Sequence, residues 1–424
     1  MTTKAELLQG TLSRAASSTC GRPKANSFQL LAITAILCAT PAGYAADWPA
    51  FRGPNANGIS PETGLNLAWK EKPPRVLWTV RLQAESYAGP SAAAGRLFLL
   101  DHKGDQEVVR AFDLAKGREL WHQAYADTNS ELYGYARSTP VVDEGRVYTL
   151  SRLGLVHCFE AKTGRCLWSR DIVKEFGGRR PKWDYSMAPL LDGEKLILCP
   201  GGKDAVMVAL DKVSGKTIWQ GGGDATPVYA TPVTAIIGGQ KQYVFVAFGQ
   251  VLGVSAADGK RLWRYPYETY HGMTAATPLM IGENVLLTGV DGLGDALLEI
   301  NAEGAKEKWN GQDLRPRFNT PILYEGYVYG TTRGGHLACL DPATGKAKWK
   351  QRGFEWGGLV AFEGHLVVAN GAQGDLVLVR MDPSGYQERG RIRPLGGQTW
   401  TAPILADGKL IVRNKTNLAC VDLH

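Results

Sequence analysis

Eight short segments of this chain place an aromatic side chain next to small or charged residues. They read ESYAGP, GYARSTP, KWDYSMAP, PVYATP, TYHGMTAATP, RPRFNTP, FEWGGL and GGQTWTAP. Their aromatic residues are Tyr87, Tyr135, Trp183, Tyr185, Tyr229, Tyr270, Phe318, Trp356 and Trp400. Aromatic faces combined with a few charged groups form binding sites for small molecules and for extended peptides. These segments are therefore the first place to look for a functional site.

The same segments carry charges that could take part in binding or in acid–base chemistry. His271 would act as a base if Asp184 or Glu355 lies beside it, but a solvated histidine at the rim of a site is the simpler interpretation. Asp291 and Asp295, in the sequence DGLGD, could offer carboxylates to calcium, yet the segment lacks the further acidic positions of a dedicated loop. We therefore predict no catalytic residue and no metal ligand. The predicted ligand- or partner-binding residues are Tyr87, Tyr135, Arg137, Trp183, Tyr185, Tyr229, His271, Arg317, Phe318, Trp356 and Trp400.

Composition and motifs exclude several other functions. The seven histidines show no HxH or HExxH pairing, and no GxGxxG or GxxxxGK[ST] motif is present, so zinc and the common nucleotide sites have no support. The formal charge is only +7 over 424 residues, and no basic stretch is dense enough for a groove that follows phosphates. Binding of nucleic acid is not expected.

A repeat surrounds these segments and must position them. A tryptophan recurs at Trp78, Trp121, Trp168, Trp219, Trp263, Trp309 and Trp349. Six of the seven close a similar phrase: AFDLAKGRELW, CFEAKTGRCLW, ALDKVSGKTIW, GVSAADGKRLW, EINAEGAKEKW and CLDPATGKAKW. The acidic or polar residue near the start of each phrase can cap a turn, and the glycine that follows it in most copies allows a tight hairpin. The tryptophan then falls on an outer strand, where it can pack between units.

A proline marks the other end of most units, at Pro90, Pro140, Pro189, Pro232, Pro278, Pro321 and Pro403. Proline has no amide hydrogen and suits the start of an unpaired edge strand, so it predicts the start of an innermost strand beside a central channel. Counting these starts gives eight units. We predict an all-β fold, an eight-bladed β-propeller of four-stranded antiparallel blades. The strand Val76–Leu82 has no unit before it and the last unit lacks an outer strand, so we expect the N-terminal strand to close the ring.

The region before the repeat divides into two parts. Residues 1–45 resemble an export signal, with a basic start, the apolar run FQLLAITAILCA and small residues before the expected cleavage site. An uncleaved anchor and a lipoprotein-type cleavage at Cys38 remain alternatives. Residues 46–74 contain no repeat, and we expect an extended arm held on the surface of the propeller by its aromatic residues, with a flexible tether as the alternative. The propeller then occupies residues 75–424.

The repeat resembles the quinoprotein-type (PQQ-like) β-propeller repeat, and DWPAFRGPNANGIS looks like the leader segment of its secreted members. Within that family, quinoprotein alcohol dehydrogenases hold pyrroloquinoline quinone and calcium at the channel mouth. The outer-membrane assembly factor BamB has eight blades, no cofactor and a scaffolding role. This chain lacks the adjacent cysteine pair on which the quinone rests in the dehydrogenases, and its blades are near minimal length. The resemblance therefore implies a BamB-like protein rather than a dehydrogenase.

The resulting functional prediction is a binding or scaffolding platform in the periplasm or cell envelope. Its expected partner is an envelope protein or an extended peptide, and no cofactor is expected. The protein should be monomeric and at most peripheral to a membrane. A dehydrogenase for alcohols or sugars that uses pyrroloquinoline quinone with calcium is the first alternative. A carbohydrate-binding module is the second, because stacked aromatic rings suit sugar faces. The mouth aromatics could also simply seal the axis of the ring.

Overall fold

The computed structural model describes residues 46–128, 134–268, 272–289 and 294–424. Within these ranges the strands form eight four-stranded antiparallel sheets arranged as the blades of a propeller, which confirms the predicted fold class. The expected export signal, residues 1–45, lies outside the described residues. No helix in the described residues is long and apolar enough to cross a membrane.

The first four blades follow the order of the chain from the innermost to the outermost strand. Blade 1 contains β2 (Ser91–Ala93), β3 (Arg96–Lys103), β4 (Gln106–Asp113) and β5 (Glu119–Ala126). Blade 2 contains β6 (Val141–Asp143), β7 (Arg146–Leu150), β8 (Leu155–Glu160) and β9 (Cys166–Asp171). Helix α1 (Ile172–Phe176) leads to blade 3, with β10 (Leu190–Asp192), β11 (Lys195–Leu198), β12 (Met207–Asp211) and β13 (Thr217–Gly221). Blade 4 contains β14 (Val233–Ile237), β15 (Gln240–Ala247), β16 (Gln250–Ser255) and β17 (Arg261–Pro266).

The remaining blades repeat this order, except that the last takes its outer strand from the start of the chain. Blade 5 contains β18 (Leu279–Ile281), β19 (Asn284–Leu287), β20 (Asp295–Asn301) and β21 (Gly304–Gly311). Blade 6 contains β22 (Ile322–Tyr324), β23 (Tyr327–Thr331), β24 (His336–Asp341) and β25 (Lys346–Arg352). Blade 7 contains β26 (Leu359–Phe362), β27 (His365–Ala369), β28 (Leu376–Arg380) and β29 (Gln387–Ile392). Blade 8 contains β30 (Ile404–Ala406), β31 (Lys409–Arg413), β32 (Asn417–Asp422) and β1 (Arg75–Arg81).

Blade 8 is built from both ends of the chain. Strand β1 pairs antiparallel with β32, from Arg75 opposite Asp422 to Arg81 opposite Asn417, with a bulge between Val76 and Trp78. The same bulge occurs beside the tryptophan of other outer strands, for example where Ala111 and Phe112 of β4 face β5. A bulge bends a strand and increases its twist, which suits the outer edge of a blade.

Most of the recurring tryptophans connect one blade to the next, although Trp263 donates to Gln242 of its own blade. The indole of Trp121 covers Gly164 of the following blade, and its Nε1 donates to the carbonyl of Ala161 at 3.0 Å. Trp309 does the same with Gly345 and Pro342. These glycines have positive φ and leave no room for a Cβ beside the ring, so glycine is needed here for both reasons.

A second set of contacts joins the blades near the axis. Seven of the eight inner strands begin at the residue that directly follows a repeat proline, as predicted, and the segments before these strands hydrogen-bond from blade to blade around the ring. These bonds are Ser86 Oγ to Ala136 O, Ser138 Oγ to Met187 O, Ala188 N to Thr231 Oγ1, Tyr229 N to Thr274 O, Thr277 N to Thr320 Oγ1, Asn319 Nδ2 to Trp356 O, Thr399 N to Gly371 O and Thr401 Oγ1 to Tyr87 O. They hold the eight loops at one end of the channel in a fixed arrangement.

The N-terminal arm is anchored by its tryptophans, Trp48 and Trp69, which are 2% and 1% exposed. Its first part, however, contacts the inner strands rather than the outer surface. The contacts are Trp48 with Ala92 of β2, the carbonyl of Pro49 with the amide of Val142 in β6, Arg52 with the carbonyls of Thr320 and Pro321 before β22, and Ile59 with Ala361 of β26. Because the inner strands line the ring, this part of the arm lies inside it, whereas a surface position was expected.

Candidate functional site

The mouth of the channel is defined by a single position in each repeat. The residue three before each repeat proline is half-buried, while its neighbours on either side are mostly buried. This position holds Tyr87, Arg137, Ser186, Tyr229, Ala275, Phe318 and Trp400. Side chains alternate in direction along an extended segment, so one position in each loop points towards the open end of the channel. Five of the predicted site residues occupy it.

Four aromatic residues from four consecutive blades contact one another at this mouth. We call Phe318, Trp356, Trp400 and Tyr87 the aromatic platform. Tyr87 and Trp400 stack with ring centroids 5.4 Å apart and an interplanar angle of 16°. Phe318 lies 4.9 Å from Trp400, and Trp356 meets Trp400 at 5.6 Å and Phe318 edge-on at 6.4 Å. These are the spacings of favourable aromatic pairs, so the platform is preformed.

Hydrogen bonds behind the platform fix its geometry. The side-chain amide of Asn319 donates to the carbonyls of Trp356 and Trp400, at 2.8 and 3.0 Å, and so spans blades 6, 7 and 8. The amide of Gln398 donates to the Tyr87 hydroxyl at 3.1 Å. Trp356 has a φ of 52°, which is unusual for a bulky residue, and its indole donates to the carbonyl of Arg333 at 3.0 Å. Strain of this kind persists only where surrounding contacts hold it.

Arg317 lies over the platform. Its guanidinium carbon is 4.3 Å from the centroid of the Trp356 ring and 5.3 Å from that of Phe318. Both distances are within the range of cation–π attraction. The structure thus brings together five predicted site residues, Tyr87, Arg317, Phe318, Trp356 and Trp400, in one half-exposed patch that is aromatic and cationic.

A second, smaller group lies on blades 2 to 4. Trp183 and Tyr229 are 5.8 Å apart, and the amide of Trp183 donates to the Tyr229 hydroxyl at 3.2 Å. Arg137 donates to the carbonyls of Trp183 and Gly134, so its guanidinium bonds backbone groups. Lys182 lies 5.2 Å from the centroid of the Trp183 ring. Arg137 therefore positions Trp183.

Tyr135 lies apart from both groups, against a buried polar network. It stacks on His102 at 3.7 Å, and the guanidinium of Arg152 is 5.3 Å from its ring. Arg152 forms a bidentate ion pair with Asp127, at 2.8 and 3.0 Å, and contacts Asp184 at 3.5 Å. Asp184 thus pairs with two arginines, Arg152 and Arg180.

Several predicted residues do not lie at the mouth. Tyr185, four residues before its proline, is fully buried in the core and its hydroxyl donates to the carbonyl of Pro200 at 2.8 Å. Asp295, which was considered as a calcium ligand, is also buried, and its carboxylate accepts hydrogen bonds from the backbone amides of Leu314 and Arg315. Burial raises the pKa of this carboxyl to about 6. His271, Tyr270 and Asp291 lie outside the described residues.

One exposed residue of the mouth end was missed by sequence reasoning. Phe248 is 57% exposed, in the turn between β15 and β16, and its ring lies beside Gly272 and so near the mouth. The sequence AFGQV, with an aromatic residue directly before the glycine of a tight turn, could have indicated this exposed position. The aromatic surface therefore extends beyond the loops that precede the inner strands.

Comparison with known proteins places this architecture in a family. A family model described as outer membrane protein assembly factor BamB matches residues 59–132 and 105–351. Curated relatives are BamB proteins, including those of Moranella endobia, 24% identical over 253 residues, and Yersinia pestis, 21% identical over 315 residues. The alignments cover 56% and 69% of this chain, and 62% and 75% of those relatives.

Solved structures share the fold. BamB from Moraxella catarrhalis superposes with a TM-score of 0.59 at 15% identity, over 82% of this chain and 97% of that one. A quinohemoprotein alcohol dehydrogenase from Comamonas testosteroni gives 0.63 at 13% identity, over 89% and 80%. At such identities the likeness concerns the fold alone. The family model covers more than half of the chain, so the chain belongs to the PQQ-like repeat family described as outer membrane protein assembly factor BamB.

Proposed function

We propose that this protein is an exported scaffold of the periplasm or cell envelope that binds a partner protein through the aromatic platform. The observation that carries the proposal is the platform itself: four aromatic residues of four blades, preformed by mutual packing and left half-exposed beneath a cation. Aromatic residues and arginine dominate the energetics of protein interfaces because they bury a large area at a small entropic cost.

The relatives support an envelope role of this kind. Their name describes factors for the assembly of outer membrane proteins. The alignments span 62% and 61% of the Moranella endobia and Shewanella oneidensis relatives, so the proposal for this chain depends on its own platform. In the alternative, the rings only seal the axis of the ring. Their mutual packing supports it in part, but all four residues keep part of their surface exposed.

The described residues at the mouth offer no cluster of carboxylates that could hold the calcium of a calcium-bound quinone. Calcium needs six or more oxygen ligands, largely from carboxylates. Among the described residues no group of three or more His, Cys, Asp or Glu side chains could hold a metal ion. No step of the proposed function passes through a cofactor.

Photo-crosslinking tests the proposal directly. Glu355, an exposed neighbour of Trp356, would be replaced by a photo-reactive residue (Glu355→benzoylphenylalanine) in cells that export the full chain. We expect a discrete crosslinked protein, and we expect the crosslink to disappear when Trp356→Ala and Trp400→Ala are introduced together.

The matched control is Val213→benzoylphenylalanine, because Val213 is 46% exposed in a turn at the opposite end of its blade. Crosslinks at position 213 alone would place the interface on the other end and contradict the proposal. Binding of the purified protein to a glycan array, lost in the Trp356→Ala and Trp400→Ala double variant, would favour the carbohydrate-binding module instead.

A further inference from the structure

Arg317 differs from the other arginines near the channel in what its guanidinium contacts. Arg137 and Arg52 donate to backbone carbonyls, and Arg152 is paired with Asp127. Within the described ranges, the Arg317 guanidinium lies over two aromatic rings and has no hydrogen bond or ion pair with another residue; its Nε is buried without a partner. The donors on its two terminal nitrogens are therefore not used within the described residues and can bond an acceptor on a ligand.

The position of Arg317 suits a planar anion. The contact with Trp356 restrains the guanidinium, and the two terminal nitrogens remain as donors for a ligand. These donors match the two oxygens of a carboxylate in a bidentate pair, which is stronger and more directional than a bond to a neutral acceptor. The flanking faces of Trp400 and Tyr87 suit an aromatic side chain next to that carboxylate.

A second cation reinforces this preference from within the ring. Arg52 of the N-terminal arm reaches the carbonyls of Thr320 and Pro321, at 3.0 and 2.9 Å, a few residues along the chain from Arg317. Its remaining hydrogen bonds go to the carbonyls of Ala56 and Asn57. No carboxylate among the described residues pairs with it, so its charge is not neutralised locally. The start of β22 therefore carries an excess of positive charge that favours an acidic ligand.

We infer that the platform selects a peptide segment in which an aspartate or glutamate side chain is adjacent to an aromatic residue, with the carboxylate bound by Arg317. This inference rests on the proposed function and specifies the chemistry of the partner. A neutral peptide would offer Arg317 only uncharged acceptors, which form weaker bonds than a carboxylate, and a basic peptide would be repelled by Arg317 and Arg52.

The test uses two blocked pentapeptides, acetylated and amidated, so that the side chain offers the only carboxylate. One has the sequence Gly-Phe-Glu-Phe-Gly and the other Gly-Phe-Gln-Phe-Gly. Titration calorimetry against the full chain should show tighter binding of the glutamate peptide by about tenfold or more, the usual worth of a charge-assisted hydrogen bond. The preference should decrease as salt is added.

Three variants complete the experiment. Arg317→Gln should remove the preference while the glutamine peptide binds as before, and Arg317→Lys should retain part of it, because the charge remains but the planar fork is lost. Arg118→Gln, an exposed arginine in the turn before β5 at the opposite end of blade 1, should behave as wild type. Circular dichroism and the unfolding midpoint of each variant report on folding.

The outcomes separate the inference from the proposed function. Equal affinity for the two peptides, or a preference that survives in Arg317→Gln, overturns the inference. The same holds if the wild type fails to bind the glutamate peptide. If crosslinking from position 355 still captures a partner, the proposed function stands with a different specificity. If that crosslink is also absent, the proposed function fails as well.

Discussion

Trp69 of the N-terminal arm packs directly on Gly390 in the outer strand of blade 7. A Cβ at position 390 would lie 2.6 Å from the Cβ of Trp69. Seven of the eight blades carry a tryptophan at this position of the outer strand, and blade 7 does not. The backbone and Cβ of Trp69 thus occupy the space beside this glycine, and its side chain lies in the buried cluster formed by blades 1, 7 and 8.

This relationship predicts a large effect of Trp69→Ala on stability. Loss of a fully buried tryptophan side chain should lower the free energy of unfolding by roughly 3–5 kcal/mol. Gly390→Ala should also destabilise, because its φ of 146° and the contact with Trp69 both exclude a Cβ. Chemical denaturation followed by fluorescence measures the free energy of unfolding of both variants. Trp400→Ala, at the half-exposed platform, is the matched control and should lower the free energy of unfolding clearly less. An equal loss for the two variants would contradict the role of Trp69 in anchoring the arm on blade 7.

Glu107 predicts a pH dependence of stability. It is fully buried between blades 1 and 2, near Tyr125, Asp127 and Arg152, and desolvation raises the pKa of its carboxyl to about 8 from an ordinary value of 4.5. The folded state therefore holds a proton that the unfolded state releases between these values. Stability should fall as the pH rises through this window, by at most about 1.4 kcal/mol per pH unit from this group.

The variant Glu107→Gln isolates this contribution. The amide keeps an acceptor for the Tyr125 hydroxyl, which donates to Glu107 Oε1 at 2.5 Å, but it cannot titrate. Denaturation at a series of pH values from 5 to 9 should show the variant gaining stability relative to wild type as the pH rises. Parallel curves for the two proteins would show that Glu107 does not titrate in this range.

The ion pair of Asp127 with Arg152 predicts a contrast between buried and exposed charges. Both side chains are 1% exposed, so Asp127→Asn leaves Arg152 without its bidentate partner inside the protein. The expected loss is roughly 3–5 kcal/mol in the free energy of unfolding. Asp224→Asn breaks the exposed pair with Arg179 and should cost less than about 1 kcal/mol. Similar losses for the two variants would show that the buried network is solvated in solution.

The lack of a calcium-binding cluster among the described residues predicts the outcome of an assay for quinone-dependent dehydrogenase activity. The purified protein, supplied with pyrroloquinoline quinone and calcium, should reduce an artificial dye no faster than a boiled sample with a panel of alcohols and sugars. A quinoprotein dehydrogenase assayed alongside shows that the reagents are active. Turnover that disappears in Trp400→Ala or Trp356→Ala would instead establish the dehydrogenase alternative.

Repeat signals predicted the scaffold because each one has a local physical cause. Pro140 and Pro321 directly precede inner strands, since a residue without an amide hydrogen is tolerated at an unpaired edge. Gly164 and Gly345 adopt positive φ beneath a tryptophan. Such constraints act within a few residues, so a single sequence displays them directly.

The site was predicted only in part, because the presence of an aromatic residue in a loop does not show whether its side chain points to the mouth or to the core. Tyr229 lies three residues before its proline and faces the mouth, while Tyr185 lies four before and faces the core. Counting from the proline would have separated them. The stacking of His102 on Tyr135 and the contact of Trp69 with Gly390 join distant parts of the chain, and no local pattern reports such contacts.

The composition of blade 8 affects the order of folding. During synthesis from the N-terminus, β1 emerges before seven complete blades and finds its partner, β32, only after all of them have been made. Until then the strand presents unpaired backbone groups together with Val76 and Leu77, apolar side chains that stay exposed even in the folded protein. Two strands so far apart in the sequence pair slowly, and the unpaired strand is prone to aggregate in the meantime. The last blade is therefore the step at which a helper protein would most improve the yield of folded molecules.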